Sequence, residues 1–170
     1  MPLVNPEVPA ERWQLDEPGR RASRALSAAV PDAGYYVASD EPKALQTLQE
    51  MARGGPVVTE AGFNEVQRPY RFSDDYRQQA RAYVEGVCHD GWEAHADVLI
   101  RFEAAVVRHA RAAAAQERTL IVGTHGLAQT VWLVSRVPLL PSPADFWAAL
   151  TFPDLIDVDL VNATAERRRL

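Results

Sequence analysis

The segment Thr119-Leu120-Ile121-Val122-Gly123-Thr124-His125-Gly126-Leu127 changes character at its midpoint. Its first half, Thr119 to Gly123, is an apolar, β-branched run that reads as a buried strand. Polarity switches abruptly at Thr124-His125-Gly126, and apolar residues then recur at helical spacing from Leu127 to Val137. A strand that stops at Thr-His-Gly and becomes a helix sets an imidazole at the carboxyl end of a sheet. That imidazole stands beside the free N–H groups of a helix start, which favour anions. A histidine packed into the core and a histidine facing a ligand are both open readings at this point.

The remainder of the chain supplies the context. Its 170 residues, 47 % of them hydrophobic, are enough for one domain over 1–170 with a proper core. The net charge of −5 and the lack of any basic run other than Arg167-Arg168-Arg169 argue against nucleic acid as a partner. That arginine run reads as a solvated terminus. Cys88 is the single cysteine, which excludes an intrachain disulfide and suggests a reducing, cytoplasmic setting. Apolar stretches are too short to cross a bilayer, so no membrane partner is expected.

In chain order, Met1 to Trp13 carries three prolines and only the brief apolar pair Leu3-Val4, and reads as extended or loop. Asp16, Glu17 and Pro18 suit a helix start, and the helix should run to about Val30. A strand over Tyr35–Ala38, a helix over Glu41–Ala52 and a strand over Val57–Thr59 follow, with Glu60 to Pro69 irregular. Helices are expected from Ser73 to about Val87 and from Trp92 to about Ala115. In the second, Val98, Phe102, Val106 and Ala110 form an apolar stripe at four-residue steps. After the Thr119 strand and its helix come a short helix around Ala144–Leu150 and a last strand, Ile156–Val161. Strands alternating with helices indicate a three-layer α/β/α fold around a mostly parallel sheet.

Three further segments bear on chemistry. Ser39 to Thr47 is a second strand end running into a helix, so Lys43 and the local N–H groups can face the same crevice as His125. Phe63-Asn64-Glu65 follows a third strand end and offers a carboxyl, the group type a general acid requires. Leu15 to Ala22 is a capped helix. Cys88-His89-Asp90 with His95 has metal-ligand residue types without a recurring ligand spacing, so no metal is expected.

Taken in this order, Leu15–Ala22, Ser39–Thr47, Phe63–Glu65, Gly91-Trp92-Glu93 leading to Arg101, and Thr124–Gly126 resemble the motifs of the histidine phosphatase superfamily, also called phosphoglycerate mutase-like. The resemblance implies that fold and a phosphomonoesterase reaction through a phosphohistidine, without cofactor or metal. By resemblance, His125 is the second histidine at the phosphate and Glu65 the proton donor to the leaving group. Asn5, Lys43 and Gly126 are then phosphate contacts. The implied partner is a phosphorylated small molecule or a phosphate or sulfate anion, with a homodimer as a candidate assembly.

The departures from the family pattern carry equal weight. No Arg-His pair precedes the Leu15 motif, so the family's nucleophilic histidine and its central first strand have no counterpart here. If Arg-His-Ala stood directly before Met1, Asn5 would fall at the family's phosphate-binding asparagine. The expectation is therefore a domain truncated at its start, with the first strand missing or replaced and negligible turnover for the chain as given. The competing reading is a non-catalytic relative that binds a phospho-ligand or a protein. Lys43 also stands where many relatives carry arginine, keeping the charge but losing the bidentate fork.

Overall fold

The computed structural model describes residues 5, 7–69 and 75–168. Leu3-Val4, the expected helix start at Ser73 and Arg169 lie outside the described residues. Three short parallel strands form the central layer: β1 (Gly34–Ala38), β2 (Val57–Thr59) and β3 (Thr119–Gly123), in the order β2-β1-β3. β1 pairs with β3 from Gly34 opposite Thr119 to Ala38 opposite Gly123, and with β2 from Tyr36 opposite Val57 to Ala38 opposite Thr59. All three strands thus end level, and their loops leave from one edge of the sheet.

Alternation along β1 divides the core. Ala38, with Tyr36 packed beside it, faces Leu26, Leu48, Met51 and Ile121, beneath helices α1 (Glu17–Leu26) and α2 (Pro42–Met51). Val37, with Tyr35, faces the larger cluster under α3 (Tyr76–Val84), α4 (His95–Ala114), α5 (Gly126–Val134) and α6 (Pro143–Ala149). Helices on both faces of a parallel sheet make the expected three layers. Asp16 caps α1 by accepting the Gly19 N–H at 2.6 Å, as its residue type anticipates.

Two expectations change. The α4 stripe does not continue at four-residue steps: Ala110 is exposed, and the buried face runs through Val98, Phe102, Ala105, Val106, His109 and Ala113. A four-residue step advances about 400° around a helix of 3.6 residues per turn, so a stripe of fours drifts about 40° per step off the core face. The C-terminus is a hairpin rather than one strand and a solvated tail. β4 (Ile156–Asp159) pairs antiparallel with β5 (Thr164–Arg167). Arg167 donates to Asp154, to Ala149 O and to Thr151, and Arg168 to Asp157 and Ala29 O. These arginines are fastened down by carboxylates and carbonyls that sequence spacing does not reveal.

Among the described residues β3 pairs only with β1, and β4 only with β5. The backbone bonds Thr119 N to Ala33 O and Ser39 N to Gly123 O show that Thr119 and Gly123 face β1. In a parallel ladder alternate residues point the other way, so Leu120 and Val122 turn their N–H and C=O groups to the second edge of β3. β3 and the β4–β5 hairpin have not closed on one another.

Gly123 sits where the sheet meets α2. A Cβ there would lie 2.7 Å from Leu48 Cγ and 3.4 Å from Ala44 O. Leu48 is 2 % exposed and has nowhere to go. Gly123→Ala should therefore destabilise the domain by about 1–3 kcal/mol through overpacking. Thermal unfolding checks this, and Leu48→Ala in the same chain should recover part of the loss.

Candidate functional site

The last residues of β1 and β3 lie opposite each other, so the next residues of each chain segment meet. Ser39 is fully buried and His125 is 4 % exposed. His125 Nε2 is 2.9 Å from Ser39 Oγ. Ser39 Oγ donates to Asn64 Oδ1 at 2.7 Å, an oxygen that also accepts the Asp40 N–H at 3.2 Å, while Glu41 N donates back to Ser39 Oγ at 3.1 Å. With the hydroxyl proton committed to Asn64, the serine oxygen can only accept from the imidazole. Neutral His125 therefore carries its proton on Nε2, the tautomer set by this chain of bonds.

Glu41 was not foreseen. It precedes α2 at 7 % exposure, with Oε2 at 2.5 Å from Lys43 Nζ and 3.6 Å from His125 Nε2. Its Oε1 accepts the Glu65 N–H at 2.7 Å. Lys43 also donates to Ala10 O at 2.8 Å. The lysine singled out as an anion contact is thus already paired with an internal carboxylate. The signal existed in the sequence, two residues before Lys43, but a glutamate ahead of Pro42 reads as ordinary helix-start chemistry.

Glu65 occupies the other expected anion position. Its Oε1 accepts Ala128 N at 3.0 Å and its Oε2 lies 3.4 Å from Leu127 N, both in the first turn of α5. It also accepts Val66 N at 3.0 Å. A carboxylate at a helix N-terminus satisfies orphan N–H groups and the dipole together. In this arrangement both oxygens act as acceptors, so donation of a proton requires Glu65 to leave the helix end. Gly126 stands at the same turn. A Cβ there would lie 3.1 Å from Trp147 Nε1, so glycine suits the close packing.

Arg101 of α4 fixes the loop that carries Asn64 and Glu65. It donates to Glu93 at 2.6 and 2.9 Å, to Gly62 O and Asn64 O at 2.9 and 2.8 Å, and to Glu65 O at 3.3 Å. Thr124 Oγ1 bonds Phe63 O at 2.8 Å from the other side. This explains why a loop without regular structure presents its side chains in fixed positions.

Asn5 is placed apart. Its Oδ1 accepts the Glu7 N–H at 2.9 Å, its carbonyl oxygen lies 3.1 Å from Trp13 Nε1, and its side chain is exposed. His125, Glu65, Lys43 and Gly126 all line one cavity of about 800 Å³, and Asn5 does not. The cavity also takes in Ile121, Val122 and Gly123 of β3 and the 152–155 segment before β4. Among the described residues, His125 is the one histidine lining it. His89 bonds Gln79 O, His95 bonds Tyr83 O and His109 bonds Glu60. Ser39 does not line the cavity.

Burial dominates His125 and holds its pKa below the ordinary value, against the opposing charges of Glu65 and Glu41. Burial also works against the charge of Glu41. His125, Lys43 and the Glu65 N–H outweigh it and keep the carboxyl below its usual range. One proton cannot serve both: with His125 neutral, the Lys43 ammonium and the Glu65 amide carry the stabilisation of Glu41.

The sequence matches no family model and no curated protein. Solved structures do resemble the fold. Mycobacterial glucosyl-3-phosphoglycerate phosphatase with inorganic phosphate aligns over 92 % of this chain and 86 % of its own, with TM-score 0.65 and 17 % identity. A mutant phosphoserine phosphatase of Entamoeba histolytica with phosphoserine aligns over 95 % and 85 %, with TM-score 0.62 and 12 % identity. TTHB049 of Thermus thermophilus aligns over 96 % and 88 %, with TM-score 0.60 and 19 % identity. The chain shares the phosphoglycerate mutase-like fold of these proteins.

Because the unfolded chain protonates histidine near the ordinary value of 6.5 and folded His125 resists it, neutral His125 contributes stability that is complete above that pH. Stability should decline as pH falls below 6.5, and the Glu41 contribution should follow only below the ordinary carboxyl value of 4.5. In His125→Gln, thermal melts should lose the upper part of that pH dependence and keep the lower.

Proposed function

We propose that this chain is a phosphatase-like protein whose cavity receives the phosphoryl group of a phosphomonoester at His125, Lys43 and the first turn of α5. The observation that carries this reading is the convergence of His125 and Lys43, from the ends of two adjacent parallel strands, on one cavity beside a helix N-terminus. Ligands of open α/β sheets bind at such strand ends. The named neighbours support it, since two of them are phosphatases caught with phosphate or a phosphorylated amino acid.

The internal carboxylates define how binding proceeds. Glu65 holds the helix N–H groups and Glu41 holds Lys43, so an incoming anion exchanges with them. Glu65, once released, is free to take up a proton and stand beside the leaving oxygen. A phosphohistidine route also needs a nucleophilic imidazole on the far side of the phosphorus. The chain's other three histidines are bound elsewhere, and Nε2 of His125 is turned to Ser39. Residues 1–170 should therefore bind a phosphoryl ligand far better than they hydrolyse one. A purely ligand-sensing role is the second reading, and the self-satisfied pairing of Glu41 with Lys43 is what favours it.

Sulfate stays a dianion from pH 5 to 8, so it isolates titration of the protein. A bound dianion favours the protonated imidazole of His125, so sulfate affinity measured by calorimetry should rise as pH falls from 8 to 5.5. Loss of one charge-assisted contact in Lys43→Ala should weaken it roughly tenfold. Turnover of p-nitrophenyl phosphate by residues 1–170 should stay at background, and robust turnover abolished by His125→Ala would refute the binding-only part.

A further inference from the structure

Helix α4 turns a second apolar face to solvent. Its inner side is buried through Val98, Phe102, His109 and Ala113. Ile100 on the other side is 69 % exposed, and Ala104, Val107, Arg111 and Ala114 are exposed with it. At 3.6 residues per turn, the nine residues from Ile100 to His109 make about two and a half turns, so this row points straight away from the core. A surface helix ordinarily carries charged residues there. Ile100, Ala104, Val107, Arg111 and Ala114 instead recur at alternate steps of four and three. That is the 3.5-residue repeat with which one helix packs along another.

The charges along this row are placed symmetrically. Asp97, also exposed, and Arg111 stand seven residues before and seven after Ala104. Seven residues advance about 10 Å along a helix and return to nearly the same side. Neither charge has an ion-pair partner among the described residues. Neighbouring charges on α4 are taken: Arg108 lies 3.4 Å from Glu60, and Glu103 lies 2.8 Å from Arg136. A row that reads acid, small apolar centre, base is complementary to itself about a two-fold axis. With a second copy laid antiparallel across Ala104, each Asp97 comes level with the partner's Arg111, and Ile100 comes beside the partner's Val107. A parallel copy would set Asp97 on Asp97 and Arg111 on Arg111. Alanine at the centre lets the two backbones approach closely, and a two-fold contact of this kind closes on itself as a dimer.

We propose that the outer face of α4 is a homodimer interface, in which two copies of the helix cross antiparallel at Ala104 with reciprocal Asp97–Arg111 pairs. None of these residues lines the strand-end cavity, so the interface does not depend on what that cavity binds. A seam along one helix of 20 residues falls at the low end of specific interfaces, below about 1,200 Å². Association is therefore reversible, with Kd on the order of 10 μM.

Sedimentation equilibrium of residues 1–170 tests this. The wild-type chain should associate to dimers and no further. Asp97→Arg and Arg111→Asp should each weaken association roughly tenfold or more, because either change opposes like charges at both pairs. An equimolar mixture of the two variants should associate nearly as well as the wild type, since each chain then meets the opposite charge. Ile100→Glu should give a monomer with an unchanged melting temperature, because that side chain is exposed in the single chain. A wild-type chain still monomeric at about 1 mM overturns the interface, and so does a dimer indifferent to Ile100→Glu. Charge swaps without effect, or a mixture no better than either variant alone, overturn the antiparallel pairing and the proposal with it.

Discussion

The parallel pairing of β1 with β3 is the constraint on which the rest depends. Because Ala38 stands opposite Gly123, the first residues past each strand, Ser39 and then Thr124-His125, emerge side by side. One residue of slip would turn His125 toward the opposite face and separate it from Ser39, since strand side chains alternate. The close fit of Gly123 on Leu48 opposes such a slip, because only glycine permits α2 to approach that near. The register in turn fixes the Nε2–H tautomer of His125 through Ser39 and Asn64. A packing decision on one face of the sheet thereby determines which imidazole nitrogen is free for chemistry.

Much of the scaffold was legible in the sequence. Strands such as Thr119–Gly123 announce themselves because a buried parallel strand is apolar along its length, and the helix starts at Asp16 and Pro42 carry recognisable caps. The second strand of the C-terminal hairpin did not show, because Thr164-Ala165-Glu166-Arg167 is polar on an exposed ribbon and has no hydrophobic period to read. The α4 stripe was legible at its start and misread at its end, where drift hands the core face to His109 and Ala113.

The site was legible in part, for a different reason. His125, Lys43, Glu65 and Gly126 were identified as residues that meet an anion, and they do line one cavity. Their present partners are internal, which no motif can reveal: Glu41 is two residues from Lys43, and Glu65 reaches α5 across 63 positions to Ala128. Arg101 and Asn64 act through tertiary hydrogen bonds, so local spacing offered no sign of their roles. Asn5 illustrates the converse. Its assignment depended on a register carried over by resemblance, and the chain instead turns its amide back on its own backbone at Glu7.

The carboxylate of Glu65 on the first turn of α5 has a kinetic meaning. The protein behaves as though it carries its own competitor, tethered and therefore always at high effective concentration. On the proposed reading, an anion that takes these N–H groups sees an affinity reduced by the fraction of time that the tethered group is seated. On that reading an anion seats there only after Glu65 has left. Since Arg101 grips the backbone of that same loop at Gly62, Asn64 and Glu65, it bears on that exchange without lining the cavity.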